Sequence, residues 1–161
     1  MTVISGANPI DIEGLIIERL KAVVGPGNPD STKRLAKFVY DQTEYTAVEE
    51  ESQLVPSLAV IYNGYRSLGS VGNGSAQAVE FEFLVVVVTS SSRDTLRNTG
   101  SKAQASPLFG ATLSALTGWK PMRGCKALLL TDAPGAGISK AGFAYTPLAF
   151  KTTVTYQPIP D

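Results

Sequence analysis

Glu80 and Glu82 are the residues whose type and spacing come nearest to chemistry. Side chains on a strand alternate between faces, so two carboxylates two positions apart share one. Such a pair can divide the work of general acid and general base if its surroundings split the two pKa values. Here they stand where an apolar strand begins, and that position reads as two solvated strand-end glutamates. Arg93, Arg97 and Lys102 share a polar stretch with the single acid Asp94 and can in principle touch phosphates. Three cations on a loop read first as solvated charge. Gly25 to Lys33 lacks the Gly-Lys-Ser/Thr ending of a phosphate loop and follows a helix instead of a strand. Gly69-Ser-Val-Gly72-Asn-Gly74 misses the dinucleotide spacing and leads into a strand; Gly135-Ala-Gly137 fails in the same way. No Gly-x-Ser-x-Gly elbow is present, and Asn73-Gly74-Ser75 matches a glycosylation acceptor without a secretory context.

Composition removes more classes. The chain has 161 residues and no histidine, so the commonest general base and metal ligand is missing. Cys125 is the one cysteine, which excludes an intrachain disulfide and a cysteine metal cluster. Beside a strand it reads as a small buried hydrophobe. Lys plus Arg equals Asp plus Glu at 14 each, so no net charge draws the chain to nucleic acid or an acidic membrane. No basic-then-apolar leader opens the sequence, and no apolar run approaches a membrane span. The expectation is a cytoplasm-like compartment, no enzymatic activity, no catalytic residue, no cofactor and no metal.

The elements that must position any site are organised around Glu80 to Thr89. Phe81, Phe83, Val85 and Val87 are apolar throughout, while the other face changes from Glu80 and Glu82 to Leu84, Val86 and Val88. The pattern predicts a central strand with one wet face in its first half and two buried faces in its second. Asn8 and Pro9 open a helix to about Val24 with Ile12, Ile16, Leu20 and Val23 as its stripe. Lys37 to Tyr40 is a short strand and Ser57 to Tyr65 a second one. Ser67 to Ser75, rich in glycine, reads as a long hairpin connection with an exposed, mobile tip, and makes its two strands antiparallel. Ser90 to Ser106 reads as a polar loop. Ser106-Pro107 opens a second helix to about Thr117, with Gly118 as its cap. Lys126 to Thr131 is a fourth strand, Pro134 to Gly137 a turn, and Leu148 to Tyr156 the last strand. The fold class is α+β: one domain over residues 1–161, an antiparallel or mixed sheet with two helices on one face, and flexible ends at about 1–7 and 157–161.

The order of elements is similar to that of bacteriophage tail terminator, or tail completion, proteins. The resemblance runs through Leu15-Ile-Ile-Glu-Arg-Leu20, Val55-Pro56-Ser57-Leu58-Ala59-Val60 and the valine-rich strand. It continues through Leu113-Ser-Ala-Leu116-Thr-Gly118-Trp119-Lys120-Pro121 and Phe150-Lys-Thr-Thr-Val154-Thr-Tyr156, covering nearly the whole chain. It implies a structural virion protein, assembled in the host cytoplasm. By the resemblance, a hexameric ring of this chain caps the head-proximal end of the tail tube. Its implied partners are the tube protein and the head-tail connector, with genomic DNA only passing through the lumen and no membrane.

Charge is segregated despite its zero sum. Asp41 to Gln53 carries Asp41, Glu44, Glu49, Glu50 and Glu51 without a cation. In a ring, Glu49, Glu50 and Glu51 can face Arg93, Arg97 or Lys102 of a neighbour, selecting register more than adding affinity. Two solvated loops that never meet explain the same pattern. Gly69, Gly72 and Asn73 in the hairpin connection, and Leu84, Val86 and Val88 on the central strand, complete the candidate subunit or tube interface.

Overall fold

A computed structural model describes residues 6–90 and 100–161, with backbone alone at 51 and 100–104. Its centre is the strand that the valine run forms. β3, Ala76–Ser90, lies between β2, Ser57–Val71, and β6, Phe143–Tyr156, antiparallel to both. The full order is β1-β2-β3-β6-β4, with β1 Phe38–Tyr40, β4 Leu129–Thr131, and β5 Gly137–Ile138 on the end of β6. β1 runs parallel to β2, so the sheet is mixed.

α1, Pro9–Val23, begins where Asn8 caps it: Asn8 Oδ1 accepts from the Asp11 amide at 2.9 Å, and Asn8 Nδ2 donates to the Asp11 carboxylate at 2.7 Å. Its stripe, Ile12, Ile16 and Leu20, is wholly buried. α3, Gly100–Leu116, lies beside it on the same face of the sheet. Arg19 joins the two helices, donating from Nε to the Ala115 carbonyl at 3.1 Å while its guanidinium lies 5.3 Å from the centre of the Trp119 ring. Beneath them Phe81, Phe83, Val85, Val87, Leu148 and Phe150 form the main core. The α+β class with two helices on one face is therefore present. A third, six-residue helix, α2 (Gln42–Ala47), belongs to the other face.

Five expectations need correction, two of them strand bounds: the fourth strand is only Leu129–Thr131 and does not begin at Lys126, and the last begins at Phe143 and not at Leu148. The long loop Ser67 to Ser75 is mostly strand: β2 runs to Val71, and the turn occupies only Gly72–Ser75. Glycine and serine have weak strand propensity, but pairing with β3 supplies what propensity lacks. The second helix starts at Gly100, not Ser106, so Pro107 sits inside it and removes one backbone donor. Gly137 opens β5 instead of closing a turn. Of the ends expected to be flexible, residues 1–5 lie outside the described residues. Ala7 is buried, and its carbonyl accepts from the Tyr156 hydroxyl at 2.6 Å.

Candidate functional site

The face of the sheet opposite α1 and α3 divides in two. Its lower half is wet. Glu80 lies 3.4 Å from the Arg66 guanidinium and 3.6 Å from the Lys151 ammonium. Glu82 accepts from Asn63 Nδ2 at 2.6 Å. Each carboxylate thus has its own partners across a strand, which is cross-strand pairing and not an acid-base dyad. With Arg66 largely exposed, its pair contributes about 0–1 kcal/mol.

The upper half is dry. Val86 and Val88 pack with Ala59 and Tyr40, and Phe38, Tyr45, Val48, Val55, Ile61, Leu84 and Tyr145 close around them. Polar bonds hold this cover down. The Tyr145 hydroxyl donates to Glu50 at 2.7 Å and accepts from Gln53 Nε2 at 3.1 Å. The Tyr40 hydroxyl accepts from the Leu54 amide at 2.9 Å. Hydrogen bonds from Ser139 and Tyr145 hold the Glu50 carboxyl below its usual range. Burial pushes the Tyr145 phenol up to about 12, and the nearby Glu50 charge adds to the rise.

A folded-state pKa above the unfolded one gives stability that is complete below about pH 10 and lost as pH rises through about 12. Tyr145→Phe should therefore unfold with a shallower alkaline transition in that window. It should also be less stable at pH 7 by about 1 kcal/mol through its lost bonds. Circular dichroism across an alkaline titration measures both, and identical profiles for the two proteins would reject the role given to Tyr145.

Below this cover the hairpin continues as an arm. Tyr65, Leu68 and Val71 on it are 69%, 44% and 41% exposed. Its tip turns on Gly72, Asn73 and Gly74, all with positive φ, where glycine and asparagine are the residues that fit. At the opposite edge of the sheet Leu129 and Leu130 are 55% and 49% exposed, and Ile138 75%. Across the wet half, Asn63, Arg66, Glu80, Glu82, Asp132 and Lys151 line one open polar cleft. The distinctive surface is a sheet with exposed apolar residues at both margins.

A model of the phage tail terminator protein family matches residues 6–159. The chain belongs to the phage tail terminator family. Membership makes it a structural component of the virion with a role in completing the tail, among other phage structural proteins. In fold it resembles a chain of the virion of the native gene transfer agent particle, with a TM-score of 0.56 and 18% identity over 89% of this chain and 94% of that one. No curated protein matches the chain. No described helix is long and apolar enough to cross a membrane.

Against this family background the candidate interface residues fall into three groups. Gly69, Gly72 and Asn73 are exposed on the arm of this tail terminator, with Gly69 inside β2 at a bulge. Val86 and Val88 are buried within the subunit, and Leu84 is only partly covered, so the dry half of the central strand is closed by α2 and the segment after it. Glu49 is exposed, whereas Glu50 is bonded inside its own subunit. Arg93 and Arg97 lie outside the described residues, as do the side chains of Glu51 and Lys102. Sequence reasoning missed Tyr65, Leu129 and Leu130. The signal available was an apolar residue in strands that also carry polar ones, which by itself resembles any half-buried position.

Proposed function

We propose that this protein closes into a ring, a hexamer as the family resemblance implies, at the head-proximal end of the tail tube. The ring ends tube polymerisation and offers its far surface to the head-tail connector. DNA passes through its lumen, and no catalytic step belongs to the role. The observation that carries this reading is the family match over residues 6–159. The apolar margins on opposite sides of the sheet support it, because a closed ring needs two different patches on each subunit. Glu49, Gly72 and Asn73 remain candidate contacts with a neighbour or with the tube.

Native mass measurement at micromolar concentration should give a single closed oligomer. Deleting the gene from its phage should give tails of uncontrolled length by electron microscopy. A monomer that stays monomeric beside purified tube, together with normal tail lengths in the deletion, would remove the reading.

A further inference from the structure

Beyond β6 the segment Gln157-Pro158-Ile159-Pro160-Asp161 carries no regular structure. All five residues are exposed, and Ile159 stands 90% in solvent. Each proline fixes its own φ and holds the residue before it extended. Gln157 and Ile159 therefore have little freedom to lose on docking. A bare isoleucine on a stiffened, extended segment is suited to an apolar groove.

Such a groove lies between α1 and α3. It measures about 360 Å³ and is lined by Val23 of α1, Leu35 of the following loop, and Ala111 and Ser114 of α3. Alanine and serine are too small to fill the space beside the half-buried Val23 and Leu35. The charged residues of its lining are both cations, Arg19 and Lys33. Arg19 is held by the Ala115 carbonyl and the Trp119 ring. Lys33 is exposed and makes no salt bridge among the described residues. Asp161 on the segment is its complement in charge.

The segment falls short of its own subunit's groove. Tyr156, at its root, bonds Ala7 just before the start of α1. The groove lies at the far end of that helix, whose 15 residues span about 22 Å. From Tyr156 to Ile159 an extended chain covers about 10 Å. Segment and groove thus stand at opposite ends of the subunit, the arrangement of a head-to-tail contact between copies.

We propose that residues 157–161 of one copy dock in the groove between α1 and α3 of a second copy. This rests on the ring reading and names its contact. Ile159 packs among Val23, Leu35 and Ala111, and Asp161 meets Lys33 to fix the direction of the segment.

The test is a double variant of the full chain, Ser114→Cys with Ile159→Cys, oxidised by copper phenanthroline and run on a non-reducing gel. A ladder of covalent multimers is expected. Neither single variant should pass a dimer, since the native Cys125 is buried. Independently, Ile159→Asp should keep the wild-type melting profile and weaken association by at least about tenfold per contact, because it takes one isoleucine out of the groove. Ser114 and Ile159 are both exposed, and Ile159→Asp decides the matter if the cysteine pair folds poorly. Three results would overturn the docked segment and leave the ring reading standing: rings by light scattering with no ladder, a disulfide closed within one chain, or Ile159→Asp assembling as well as the wild type. A wild-type chain that stays monomeric beside purified tube would overturn both.

Discussion

Phe83→Ala is expected to lower the unfolding free energy by about 3–5 kcal/mol. Phe83 is wholly buried at the middle of the central strand. It pairs across to Tyr62 on β2 and Phe150 on β6, with the Tyr62 ring centre 5.7 Å from its own. α1 and α3 close over that face, and three packed strands prevent the backbone from collapsing into the space left behind. A domain of this size is stable by about 5–15 kcal/mol, so the loss is a large fraction of the total. Urea unfolding of the dilute subunit, followed by circular dichroism, should show a lower midpoint with little change in slope. A loss under about 1 kcal/mol would mean that the helical layer does not cover this strand.

Val88→Asp should prevent folding of the subunit, whereas Leu130→Asp should leave folding intact and weaken assembly. Val88 is wholly buried in an apolar cluster with Tyr40, Ala59 and Val86. An uncompensated buried charge costs at least about 3–5 kcal/mol. Leu130 is 49% exposed at the sheet margin, where a substitution changes stability by about 0.5 kcal/mol or less. The contrast separates two roles for apolar residues on the same sheet. If Val88→Asp gave a folded monomer that fails to assemble, the dry half of β3 would face a neighbour and not its own α2. Thermal melts with size-exclusion profiles of both variants decide between them.

Much of this protein was legible in its residues. Asn8-Pro9 and the Ile12, Ile16, Leu20 stripe specify α1 because capping and helical period are local properties. The change from Glu80 and Glu82 to Leu84, Val86 and Val88 specifies a strand half wet and half dry, and β3 is that strand. The missing histidine and the absent nucleotide loops direct attention away from chemistry, and the run from Leu113 to Pro121 carried part of the family resemblance. What only the tertiary structure decided is which partner each strand meets. Ser67, Gly69 and Ser70 look like loop because propensity says nothing about β3 waiting alongside. The start of α3 at Gly100 is hidden for a related reason, since Pro107 is a good first helical residue and nothing local reveals the turns before it. Val86 and Val88 read equally well as interface or core, because a strand pattern records that a face is dry and not what dries it. Glu50 reads as one acid among five in its segment, yet it turns to a tyrosine 95 positions away. Such contacts depend on topology, which local spacing does not encode.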